Sequence, residues 1–84
     1  MDVTVAVLLM LDEVLGLKGR SRSFSRETHL VGAVPELDSM AIVALVTGIE
    51  ERFGVAVDDD DIDGDTFATV GSLVNFVASK MATA

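Results

Sequence analysis

Asp38-Ser39-Met40-Ala41-Ile42-Val43-Ala44-Leu45-Val46-Thr47-Gly48-Ile49-Glu50-Glu51-Arg52-Phe53-Gly54 sets the fold class. Its residues Ile42, Leu45, Val46, Ile49 and Phe53 recur at i, i+3, i+4, i+7 and i+11, the spacing of one buried face of an α-helix. Asp38 suits the N-cap, where a side-chain oxygen accepts a backbone N–H and contributes about 1 kcal/mol. Gly54 suits the left-handed residue that ends a helix. Gly48 sits mid-helix despite a cost of about 1 kcal/mol relative to Ala, which signals close approach of another group to that side.

On the N-terminal side, Val7, Leu8, Leu11, Val14 and Leu15 repeat the helical spacing between Val3 and Leu17, and Gly16 and Gly19 mark the end. Val5, Leu9 and Met10 widen this first stripe beyond what a single core face needs, which makes weak self-association conceivable. Residues 18–38 show no sustained period and hold the only proline, so they read as a long ordered loop pinned by Leu30, Val31, Val34 and Leu37. On the C-terminal side, residues 58–65 are almost entirely acidic and read as one short helical turn anchored by Ile62. Thr69 can cap a last helix whose stripe is Val70, Leu73, Val74, Val77 and Met81. The expectation is an all-α, small up-and-down bundle of three main helices plus one short helix, with the long loop between helices I and II.

The 84 residues fit a single domain, 1–84, half of it apolar. Cysteine is absent, which excludes a disulfide scaffold, a thiolate metal site and a cysteine nucleophile. No uncharged run reaches the ~20 residues of a membrane span: Val3 to Leu11 has nine, and the longest, Thr66 to Ser79, has fourteen. Asp2 stands where a signal peptide carries Lys or Arg, and no small-residue cleavage site follows, so the cytoplasm is the expected location. The net charge of −8 argues against nucleic acid as a partner and favours basic ones, although acidity also serves solubility alone. Against that background, Lys18, Arg20, Arg22 and Arg26 form the one basic stretch, and a solvated loop accounts for them.

Ser39 falls in the first turn of the second helix, where free N–H groups and the positive end of the helix dipole can stabilise a phosphate ester. Position alone also fits ordinary capping. The wider wording adds to this. Asp38-Ser39-Met40 resembles the Asp-Ser-Leu signature of acyl carrier proteins. Ile49-Glu50-Glu51-Arg52-Phe53-Gly54-Val55 and Phe67-Ala68-Thr69-Val70-Gly71-Ser72-Leu73-Val74 are similar to two further motifs of that family, and Thr28, Leu30 and Gly32 match its loop. The likeness covers residues 28–80. It implies a non-enzymatic carrier whose Ser39, flanked by Asp38, is esterified with 4′-phosphopantetheine by a phosphopantetheinyl transferase. The arm's thiol then carries acyl groups between acyl-loading and acyl-transferring enzymes, as a chain without cysteine requires. Asp38 before the serine favours an acyl carrier over a peptidyl carrier. The wording also resembles short stand-alone carriers of bacterial exosortase and exopolysaccharide systems.

This sequence departs from the family in several places. Met40 replaces the usual Leu, and Glu36 stands where Gly is common. Ala41 and Ala44 occupy positions that are usually acidic in relatives, whose partners dock there through basic patches. Met40, Ala41, Ala44, Thr47, Gly48 and Glu51 share one helix face, so partners are expected to use small-residue packing there and the charges of Glu50, Glu51 and Asp58–Asp61.

Other readings compete. A helical interaction module without cofactor would use helix I or the basic loop. His29, Asp38 and Ser39 could be written as a hydrolytic triad, but no oxyanion-hole motif or pocket-forming sheet accompanies them. Asp59, Asp61, Asp63 and Gly64 match positions 1, 3, 5 and 6 of an EF-hand loop, yet position 12, which needs a bidentate Glu, is Val70. No metal ligands are therefore assigned, and a degenerate, EF-hand-like divalent-ion binder using the clustered carboxylates stays as an alternative reading.

Overall fold

The computed structural model describes residues 3–83, and of Asp59 and Thr83 only the backbone. Three helices form the bundle: α1 (Val3–Leu15), α2 (Ser39–Phe53) and α3 (Val70–Thr83). Two 3₁₀ turns, Arg20–Ser23 and Asp59–Asp61, interrupt the connections. Among the described residues there is no strand, only an isolated bridge between His29 and Thr69.

The helices end where the sequence predicts. Gly16 leaves α1 at φ +65°, and Gly54 closes α2 at φ +66°, its N–H donating to the Glu50 carbonyl at 3.0 Å. Thr69 caps α3, its hydroxyl accepting the Ser72 N–H at 3.1 Å. Leu17 lies beyond the end of α1 but is fully buried, its N–H bound to the Asp12 carbonyl.

One core draws on all three helices and the loop. It joins Val7, Met10 and Leu11 of α1 to Leu45 and Ile49 of α2 and to Val70, Leu73 and Val77 of α3. Gly48 faces α1: a Cβ there would meet the Met10 Sδ at 3.4 Å and a Val14 methyl at 3.6 Å. The three-helix expectation holds, with corrections at its edges. Ile42, Val46 and Phe53 are half-buried; Ile42 and Val46 line a surface cleft, and Phe53 packs at the edge of the core. Met81, in the last turn of α3, is 37% exposed.

The long loop is ordered by contacts distant in sequence. The Leu30 and Val31 N–H groups donate to the Ala68 and Phe67 carbonyls at 2.9 and 3.2 Å, and the Val70 and Gly71 N–H groups to those of Thr28 and Arg26 at 3.0 and 2.9 Å. Leu30, Val34 and Leu37 are buried as pins, but Val31 is 50% exposed. Val31 gives its backbone, not its side chain, to that ladder. Asp12 anchors the Arg20–Ser23 turn, its carboxylate accepting the Gly19 and Ser21 N–H groups at 3.0 and 3.1 Å.

Candidate attachment site

Ser39 is the first residue of α2, and it is exposed. Buried Leu37 fixes the chain just before it, its N–H donating to the Val34 carbonyl at 3.0 Å. Asp38 then turns the chain into the helix with extended backbone (φ −105°, ψ −175°), its Oδ1 accepting the Ala41 N–H at 2.8 Å. Capping is thus performed by Asp38, which leaves the Ser39 hydroxyl without a structural task. The first N–H groups of the helix, those of Ser39 and Met40, have no intrahelical acceptor, and they lie at the positive end of the helix dipole. Donors placed in this way at a helix start can stabilise a phosphate ester.

Arg20 braces the approach to Ser39 through an ion pair with Glu36. The Glu36 backbone N–H and the Arg20 guanidinium hold this carboxyl below the usual glutamate range. No hydrogen bond among the described residues joins His29, Asp38 and Ser39; His29 is exposed, and the Asp38 carboxylate is engaged with Ala41.

The α2 residues beyond Ser39 divide. Met40, Ala44, Thr47 and Glu51 are exposed, with Met40 at 81%, whereas Ala41 is half-buried against the core. Glu50 has an internal partner, its Oε2 accepting the Val57 N–H at 3.0 Å. Val43, 66% exposed, joins Ile42, Val46, Thr47 and Ile62 in an open cleft of about 320 Å³, mostly apolar, that begins about one turn along α2 from Ser39. Sequence reasoning passed over Val43; its signal is an apolar residue off the main stripe, one turn beyond the serine.

The acidic run is engaged with its own chain. The Asp61 Oδ2 accepts from the Lys80 ammonium at 2.8 Å and from the Asp58 N–H at 2.9 Å. The Asp63 Oδ1 accepts the Asp65 and Thr66 N–H groups at 2.8 and 3.1 Å. The Asp59 side chain lies outside the described residues, and among those described no three metal-ligating side chains converge. No described helix is long and apolar enough to cross a membrane.

Fold and site together define a class: a small helical bundle that presents an uncommitted serine hydroxyl at a helix start. The family described as "phosphopantetheine attachment site" matches residues 5–77. A holo acyl carrier protein from Nitrosomonas europaea, solved by solution NMR, shares 44% identity at a TM-score of 0.89, over 98% of this chain and 99% of that one. The acyl carrier protein of Thermotoga maritima is 41% identical over 44 residues, 52% of each chain. That of Acidothermus cellulolyticus is 35% identical over 49 residues, 58% of this chain and 56% of the relative. The chain thus spans about half the length of the curated relatives it matches, and it belongs to the acyl carrier protein family.

Proposed function

We propose that this chain carries acyl groups as thioesters on a 4′-phosphopantetheine arm esterified to Ser39 and presents them to partner enzymes. The exposed hydroxyl at the start of α2, freed from capping by Asp38, carries this reading. The arm supplies the thiol that a chain without cysteine lacks. The residues divide the remaining work. Asp38 holds the helix start rigid, the Ser39 and Met40 N–H groups face the phosphate, and Met40, Ala44, Thr47 and Glu51 form the surface partners read. Ala41 and Glu50 flank that surface while also packing or bonding inward. The cleft lined by Ile42, Val43, Val46, Thr47 and Ile62 favours an apolar acyl cargo over a polar aminoacyl one. A phosphopantetheinyl transferase and cytoplasmic acyl-loading and acyl-transferring enzymes are the partners this implies. Those of exosortase or exopolysaccharide pathways are the particular set suggested by the sequence likeness.

The test is intact mass. Incubated with coenzyme A and a promiscuous phosphopantetheinyl transferase, the wild type should gain one phosphopantetheine and Ser39→Ala none. A wild type that gains no mass ends the carrier reading.

A further inference from the structure

The approach to Ser39 is held from the C-terminal end of α1. Asp12 fixes the Arg20–Ser23 turn there, its carboxylate accepting the Gly19 and Ser21 N–H groups at 3.0 and 3.1 Å. Arg20 opens that turn and is itself secured, its backbone N–H and its Nε each donating to the carbonyl of fully buried Leu17 at 3.2 Å. Its guanidinium Nη2 then reaches Glu36, sixteen residues further along the chain. Glu36 lies in the run that delivers the serine: its carbonyl accepts the Asp38 N–H at 3.2 Å, Leu37 is buried, and Asp38 caps α2. One carboxylate oxygen of Glu36 meets Arg20, and the other, Oε1, is closed off from solvent. Asp12, Arg20 and Glu36 thereby join α1 to the segment just ahead of Ser39.

We infer that Arg20 and Glu36 are positioning residues for the attachment of the arm: their ion pair fixes residues 35–38 before a phosphopantetheinyl transferase arrives, so that Ser39 is presented in one orientation. The inference rests on the carrier reading. A segment that must be ordered at docking weakens binding, and one ordered beforehand does not. Without the guanidinium, the Glu36 carboxylate has one oxygen closed to water and no counter-charge, so it turns outward to be hydrated. The backbone between Pro35 and buried Leu37 then has to follow. Family members with the common Gly in place of Glu36 cannot form this pair, so it distinguishes this chain. Electrostatic steering alone predicts the opposite sign at one position. A basic partner is repelled by Arg20, so removing that charge would lower KM, whereas losing the brace raises it.

Arg20→Met keeps the apolar stem, Glu36→Gln keeps the side-chain shape, and the double variant completes a cycle. Loading of each full chain from coenzyme A by a promiscuous transferase is followed by intact mass over a range of carrier concentrations, at about 0.2 M salt to screen steering. Melts establish that each protein is folded at the assay temperature. Each single variant should raise KM about two- to five-fold, the range an ion pair of this exposure supports, with kcat unchanged. The double variant should be no worse than the worse single, because both substitutions break one contact. In all three, exchange of the Leu37 and Asp38 amides should quicken by a similar factor. An unchanged or lowered KM in Arg20→Met overturns the inference, as do additive losses in the double variant, which mean that each side chain meets the transferase separately. A lower Tm with wild-type KM also overturns it and makes the pair a structural support. Should Arg20→Met not fold, Glu36→Gln decides through the exchange of those two amides: rates equal to wild type sink the inference. A wild-type chain that takes no arm removes the carrier reading itself, whereas one that loads normally beside variants of unchanged KM removes only the positioning role.

Discussion

Gly48 lies inside α2, where glycine costs about 1 kcal/mol relative to alanine, and Gly71 lies in the first turn of α3, where that cost is smaller; their surroundings also differ, in a way that predicts opposite outcomes. A Cβ on Gly48 would meet the flexible end of Met10 at 3.4 Å, whereas one on Gly71 would sit 3.0 Å from the Arg26 carbonyl, a backbone atom held by the Gly71 N–H itself. Gly48→Ala should therefore stabilise the protein by up to about 1 kcal/mol, raising Tm by about 4–8 °C in a domain of this size. Gly71→Ala should lose about 1 kcal/mol net, because overpacking against backbone outweighs the propensity gain. Thermal melts of the two variants decide; a Gly71→Ala protein more stable than wild type would refute the close approach. Asp12 makes a pH-dependent contribution. Backbone N–H donation from Gly19, with help from Ser21 and Arg22, lowers its pKa below the ordinary aspartate value. A depressed folded pKa stabilises fully above the unfolded value, about 3.9, and that stability is lost as pH falls through the folded one. Glu13, Glu36 and Asp61 are lowered too, by Arg52, by the Glu36 backbone N–H with Arg20, and by Lys80. Denaturant melts should show an acid limb that flattens in Asp12→Asn, and an unchanged limb would remove Asp12 from the account.

The loop between α1 and α2 shows what a local pattern conveys and what it does not. Leu30, in a stretch without periodicity, is fully buried, so Leu30→Ala should cost about 2–5 kcal/mol. For a chain of this length the total stability is about 4–13 kcal/mol, so the loss is severe and measurable by urea unfolding. A cost under about 0.5 kcal/mol would mean the loop only rests on the bundle. α2 and α3 were legible because their information is local: a repeat of 3.6, Asp38 or Thr69 before it, Gly54 after. The place of Ser39 at the start of α2 was legible for the same reason, directly after a capping residue, whereas its reading as an attachment point came from the resemblance of three spaced motifs. The Arg20–Ser23 turn was not, because its organiser, Asp12, lies in the preceding helix. Nor was the pairing of residues 28–31 with 67–71, which uses backbone groups that every residue carries. The cleft was hidden differently. Ile42 and Val46 were assigned to the core by their spacing, but spacing cannot tell a buried face from the wall of a groove, and the opposite wall, Ile62, comes from a separate segment.

Charge distribution across the molecule bears on who reads Ser39. Residues 30–84 sum to the whole net charge of −8, through Glu36, Asp38, Glu50, Glu51 and the Asp58–Asp65 segment against Arg52 and Lys80, while the α2 face that follows Ser39 carries Met40, Ala41 and Ala44. Steering of a basic partner then comes from Asp38 beside the serine and from Glu50, Glu51 and the acidic turn, Glu51 lying about 18 Å along α2 from Ser39, beyond the Debye length of about 10 Å at 0.1 M salt. Loading by a phosphopantetheinyl transferase should consequently slow as salt rises from 50 to 200 mM, through KM and not kcat. Two reversals separate steering from structure. Glu51→Lys changes an exposed residue and should raise KM about two- to five-fold at low salt, flatten the salt dependence and leave Tm within about 1 °C. Glu50→Lys also removes the acceptor of the Val57 N–H, so it should raise KM and lower Tm together. Initial rates by mass spectrometry at two salt concentrations, with melts of each protein, make the comparison. A Glu51→Lys protein loaded like wild type at both salts would mean that partners read the apolar face around Met40 and Ala44 without electrostatic guidance.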